Sequence, residues 1–176
     1  MNIYLILLII FAVIAIVALL YFSGYSKLKK YKEKMDKAEN IIDENLNEKL
    51  NLIITINGEV KKVTGKKDYL KDYVSVQDLI ISNIEKDLKL DEAVKLINDL
   101  MVDFTELNTD TEFNELMKKL REIDELLTSA KNMFNQNAVQ SNQLIKTFPN
   151  NIIAKLSKFR IRSFYNNNKT DEIETF

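Results

Sequence analysis

Asp36 and Asp43 lie two helical turns apart, and Glu122, Asp124 and Glu125 form an acidic run. Paired carboxylates are the side chains of this chain best suited to chemistry, since they bind hard cations or share a proton. An oxygen-only metal site needs more than two converging ligands. Asp36 and Asp43 are therefore read first as ion-pair partners for Lys or Arg on a neighbouring helix. The acidic run stands beside Lys118, Lys119 and Arg121, at the spacing of ion pairs on one helix surface. The chain contains no His and no Cys. That removes the usual zinc sites, disulfides, thiolate nucleophiles and any Ser-His-Asp triad. Bundles that hold di-metal centres rely on Glu-x-x-His ligands, which this composition cannot supply. Carboxylate, Lys, Tyr and Ser chemistry stays open. A carboxylate hydrolase, however, needs an acid pair in a cleft, and no such pair is legible. The expectation is a protein that acts by binding, with no catalytic residue, metal or cofactor.

A second constellation lies near the C-terminus. Asn151 to Tyr165 reads NIIAKLSKFRIRSFY and contains no acid. Lys155, Lys158, Arg160 and Arg162 interleave with Ile152, Ile153, Leu156, Phe159, Ile161, Phe164 and Tyr165. Basic residues mixed with aromatics bind nucleic acid in some proteins, but no nucleic-acid partner is expected here. An amphipathic segment on a membrane surface suits a membrane protein better, with Lys155, Lys158, Phe159, Arg160, Arg162 and Phe164 as the lipid-contacting set. The plain alternative is a cap that packs its apolar residues on the rest of the protein. The balanced total charge, −1 over the chain, by itself points to neither a nucleic-acid binder nor an acidic decoy.

The elements that position these residues begin with a membrane span. Residues 3 to 22, IYLILLIIFAVIAIVALLYF, carry no charge. Twenty helical residues cover about 30 Å, the thickness of the hydrocarbon core. Tyr4 and Tyr21 mark the ends, where aromatic belts lie. A cleaved signal peptide would have a basic start, a shorter apolar core and a small-x-small exit. This segment has none of these, and a retained anchor is expected. Lys27, Lys29, Lys30, Lys32 and Lys34 crowd the exit side, so the positive-inside rule places the C-terminal part in the cytoplasm of a single-pass inner or plasma membrane protein.

Three Gly and one Pro in the whole chain argue for mostly helix beyond the span. Leu28, Tyr31, Met35, Ala38, Ile42, Leu46, Leu50 and Ile53 step by three or four and form a packing seam. Asn57-Gly58, between LIITI and EVKKV, is a hairpin signal. Leu52 to Val63 therefore reads as hairpin or helix, with a helix ending near Gly58 or Gly65 favoured because a lone hairpin lacks a sheet to join. Leu70, Tyr73, Val76, Ile80 and Ile84 predict a second helix over about 67–86, and Val94, Ile97, Met101 and Phe104 a third over about 91–107. Asn108 to Thr111 is a capping loop, with Glu112 in the next first turn. The fourth helix is read from Phe113, Leu116, Leu120, Ile123, Leu127, Ala130, Phe134, Ala138, Ser141, Ile145 and Phe148, and Pro149 stops it. Phe134 sits on its seam and Lys131 on its outer side. Asn45, Asn137 and Ser141 are polar seam positions that either set helix register or are exposed.

The segment Tyr25 to Ile53 resembles the first cytoplasmic helix of the LemA family at Tyr25, Leu28, Asp36, Ala38, Ile42, Asp43, Leu46, Leu52 and Ile53. Asp103 to Phe159 is similar to that family's terminal helix and its Phe-Pro-Asn-Asn-aliphatic-aliphatic-Ala ending, here Phe148 to Ala154. The family's Leu-Ile-Pro-Asn is replaced by Leu52-Ile53-Ile54-Thr55, and its Tyr-Asn pairs by Phe134-Asn135 and Ser141-Asn142. The resemblance implies an N-terminally anchored helical bundle and supplies no enzymatic activity.

The expected architecture is all-α: an N-terminal transmembrane helix followed by an antiparallel four-helix bundle with long first and last helices. Residues 1–24 are the anchor, 25–150 the cytoplasmic bundle, 151–165 the basic amphipathic segment and 166–176 a disordered tail. An even number of antiparallel helices returns Phe148 to the bilayer. The expected function is a membrane-anchored, non-enzymatic scaffold or adaptor with membrane lipid and unidentified proteins as partners. The alternative is a structural protein that shapes the membrane by self-association.

Overall fold

The computed structural model describes residues 2–65, 67–79 and 81–165. The expected tail, 166–176, lies outside the described residues. Five α-helices follow one another: α1 (Ile3–Val63), α2 (Lys71–Val74), α3 (Asn83–Asp103), α4 (Thr111–Lys146) and α5 (Asn150–Leu156). Two 3₁₀ turns, Ser75–Asp78 and Thr105–Thr109, complete the order, and no strand occurs among the described residues. They form two compact units, one of residues up to Lys37 with Met133–Phe164, the other of Ala38–Asn132.

α1 changes character along its length. Its most apolar 18-residue window has a mean hydropathy of 3.4 and is not buried at all, so this helix is long and apolar enough to cross a membrane. Beyond Gly24 a single stripe is buried: Leu28, Met35, Ala38, Ile42, Leu46, Lys49, Ile53, Ile56 and Val60. The helix favoured over the hairpin at Leu52 to Val63 is the one observed. It ends where Gly65 adopts a φ of +73°, the left-handed stop that Gly supplies without a Cβ penalty.

In the Ala38–Asn132 unit, the chain after α1 does not form the continuous second helix expected over about 67–86. It folds back through α2 and the first 3₁₀ turn, burying Leu70 and Val76. Asp68 ties this return to α1, accepting from Asn57 at 3.0 Å and pairing with Lys61 at 2.6 Å. The hydrogen bond from Lys61, then that from Asn57, holds its carboxyl below the usual carboxylate range. A new helix starts at Asn83 because the Ser82 hydroxyl accepts from the Glu85 amide at 3.2 Å. Ser82-x-x-Glu85 is a capping-box spacing, and it divides the region that apolar period alone joins. α3 therefore begins before Asp91, where the third helix is expected, and buries Leu90, Ala93, Ile97 and Leu100.

Charged side chains set the directions in this unit. Lys86 of α3 donates to Asn47 of α1, and Lys49 of α1 to Asp91 of α3. The rising numbers on both sides show that α1 and α3 run the same way. Asp87 of α3 pairs with Lys131 of α4, whereas Asp91 shares Lys49 with Asp124 of α4, so α3 and α4 run oppositely. Lys49 is only 1% exposed and lies 2.6 Å from both carboxylates. Burial by itself lowers its pKa, but hydrogen bonds to Asp124 and Asp91 outweigh that and raise the ammonium above its ordinary value. Burial raises the Asp87 carboxyl, and its pairing with Lys131 offsets only part of the effect. Lys131 is thus half-buried and paired, not on the outer side of α4.

α4 starts as expected, with the Asp110 carboxylate accepting from the Phe113 amide at 2.8 Å. Its seam is buried at Phe113, Leu120, Ile123, Leu127, Ala130, Phe134, Ala138 and Ser141. Phe148 departs from it and is 79% exposed. Asn45 and Asn137 are half-buried and donate to carbonyls one turn back, Ile41 and Met133.

Candidate functional site

The other unit brings the C-terminal constellation against the base of the apolar span. A cis Phe148–Pro149 bond joins α4 to α5. Leu28, Ile153 and Ala154 form a small buried core, with Tyr21, Leu144, Ile145 and Phe159 packed against it. α5 sits directly on Gly24. A Cβ there would lie 2.5 Å from Asn150 Oδ1 and from the Ile153 Cδ1 methyl. Glycine permits this approach by having no side chain. The Tyr21 hydroxyl and the Ser157 hydroxyl are 3.1 Å apart, and the Phe159 ring meets Tyr25 edge-on at 5.8 Å. Tyr25 in turn stacks on Tyr21.

α5 is closed by a left-handed cap. The Phe159 amide donates to Ala154 O and the Lys158 amide to Lys155 O, while Lys158 has a φ of 59°. These are the two bonds of a Schellman motif, with Lys where Gly is usual. The motif turns the chain so that Phe159 faces the core. Farther on, Asn142 of α4 grips the backbone of Arg162 from both sides, donating to its carbonyl at 2.8 Å and accepting from its amide at 2.9 Å. The Arg162 guanidinium lies 3.7 Å from Asp36 and over the Phe134 ring.

The six nominated lipid-contacting residues therefore divide. Lys155, Lys158, Arg160 and Phe164 are exposed. Phe159 and Arg162 are half-buried against protein, because the cap turns one inward and Asn142 and Asp36 hold the other. Outside the nominated set, Phe148 at 79%, Leu156 at 70%, Ile152 at 59% and Ile161 at 50% also expose large apolar surface. The spacing of Ile152 and Leu156 by four was the available signal, since it puts the two on one face of α5, away from the buried Ala154.

The carboxylates read for metal chemistry find other partners or none. Asp36 pairs with Lys32 on its own helix as well as with Arg162, and Asp43 is exposed. Among the described residues no cluster of three or more potential His, Cys, Asp or Glu ligands occurs. An open groove of about 810 Å³ lies between α1 and α4 in this unit, lined by Lys34, Lys37, Met133, Gln136, Asn137, Val139 and Gln140. Its lining offers two ammonium groups and three amides within a surface that is more apolar than polar, which suits recognition of an acidic or amide-bearing segment that also carries apolar side chains. The LemA family model matches residues 38–175. No curated protein and no solved structure matches the chain.

Proposed function

The chain belongs to the LemA family, and from that premise we propose that it is a membrane-anchored, non-enzymatic scaffold that binds protein partners at the cytoplasmic face. The observation that carries this reading is the continuity of α1. One helix, Ile3–Val63, contains both the unburied apolar segment and the stripe that packs the second unit. A partner held by the helical surface is then held at the membrane. The groove at Lys34 and Lys37 is the proposed partner contact. The cytoplasmic placement rests on the lysines from Lys27 to Lys34, which follow the span with only Glu33 to oppose them.

Two measurements on the full chain test this. A Glu122→Cys variant, unique because native Cys is absent, should resist a membrane-impermeant maleimide in intact cells and react after lysis. Labelling in intact cells overturns the orientation. A photo-crosslinker at Gln140, at the rim of the groove, should capture a partner protein in native membranes, and Lys34→Glu with Lys37→Glu should abolish that capture. Crosslinks only to further copies of the chain overturn the scaffold reading in favour of self-association.

A further inference from the structure

We infer that the exposed face of α5, together with the Phe148 ring just before it, is a lipid-docking surface. Phe148, Ile152 and Leu156 enter the headgroup region of the membrane that Ile3–Phe22 crosses, and Lys155, Lys158 and Arg160 hold anionic lipid around them. The inference rests on the anchor reading and adds a second point of membrane attachment to it.

Height is the first argument. Gly24, against which α5 packs, is two residues beyond Phe22, about 3 Å along a helix axis. The interfacial layer of a bilayer is about 5–7 Å deep on each side of the hydrocarbon core. An element seated on Gly24, hydrogen-bonded to Tyr21 and packed on Leu28 falls within that layer or at its edge.

Sidedness is the second. Ile153 and Ala154 face the protein at 5% and 1% exposure, while Ile152 and Leu156 face away. The exposed apolar surface thus lies beside the base of the apolar segment, where large apolar residues are massed in the open. Charge is the third. No acidic residue occurs from Leu126 to Tyr165, and Lys155, Lys158 and Arg160 make no ion pair among the described residues. Three such cations beside an anionic leaflet favour the docked position about a hundredfold. A nucleic acid would be drawn by the same charge, but it cannot use Phe148, Ile152 and Leu156 at this height, whereas an interfacial segment uses both sets.

The test uses the full chain in nanodiscs that hold one copy each, of phosphatidylcholine with or without phosphatidylglycerol. Single nitroxide labels replace Ile14, Ile152, Leu156 or, as a water-exposed reference, Leu126. In discs containing phosphatidylglycerol, labels at Ile152 and Leu156 should collide with a water-soluble nickel chelate severalfold less often than the label at Leu126. Replacing Lys155, Lys158 and Arg160 by Gln should raise those collisions toward the reference. Nickel access at Ile152 and Leu156 equal to that at Leu126, with Ile14 protected, overturns docking and leaves the anchor standing. Access at Ile14 as well means the anchor reading has failed. Protection that needs two chains per disc assigns the face to a second copy and overturns the lipid assignment. Protection unaltered by the three Gln substitutions overturns the role of the cations.

Discussion

Lys49→Met should destabilise the chain by about 2 kcal/mol, a net value set by opposing effects. The Lys49 ammonium is 1% exposed and lies 2.6 Å from Asp91 of α3 and 2.6 Å from Asp124 of α4. A hydrogen bond to a charged group is worth about 1.5–3 kcal/mol, so the two lost bonds represent about 3–6 kcal/mol. Two effects reduce that figure. Replacement removes a buried ammonium whose own desolvation costs several kcal/mol. The stranded carboxylates are 35% and 37% exposed, so water rehydrates and screens them. Met keeps the buried stem's volume. Lys49→Ala leaves a cavity as well and should cost about 4 kcal/mol. Adding Asp91→Asn and Asp124→Asn to Lys49→Met removes the repulsion between the stranded acids and should recover about half the loss, since neutral replacement of a whole buried ionic cluster is nearly neutral. Urea unfolding of the full chain in detergent micelles, followed by far-UV circular dichroism, measures all of these. If Lys49→Met stays within about 0.5 kcal/mol of the parent, the range of ordinary surface changes, the ammonium does not join the three helices energetically. A triple variant no more stable than Lys49→Met would also refute the reasoning.

The same ion triad carries a pH signature. The folded-state pKa of Lys49 is raised, so its contribution is fully present below the unfolded value and is lost as pH rises through the folded one. The stability gap between parent and Lys49→Met should hold through neutral pH and close above the ordinary lysine value of 10.5. Lys131→Asp should cost about 3 kcal/mol or more, because the buried Asp87 loses its cation and gains a like charge. A loss like that of an ordinary surface change in a thermal melt would return Lys131 to the outer face. Gly58→Ala should stabilise by about 1 kcal/mol, since α1 is helical there and a Cβ meets nothing within 4 Å. An unchanged or lower urea midpoint would show that residue 58 is not in regular helix.

What the sequence alone determines is whatever repeats along a single helix. The apolar run at Ile3–Phe22 is local composition, and the seams from Leu28 to Ile53 and from Phe113 to Ser141 are local periodicities that burial follows. Asp110 caps α4 because a cap needs only the next turn. Ser82 and Glu85 carried an equally local signal, and an unbroken apolar period across 67–86 hid it. Only the tertiary structure decides which interruptions of a seam are core. Lys49 sits in the α1 stripe and Lys131 beside the α4 seam, and a lysine there reads as solvated until its acid is found. Those acids, Asp91, Asp124 and Asp87, come from other helices, and no pattern within one helix encodes the pairing. The C-terminal segment divides in the same way. Its basic and aromatic composition is legible in the chain. Which residues turn outward depends on α5 closing over Gly24, on the left-handed cap at Lys158 and on the grip of Asn142. These contacts put Phe159 and Arg162 inside and leave Ile152 and Leu156 in the open, because helix sidedness is set by the surface a helix packs against.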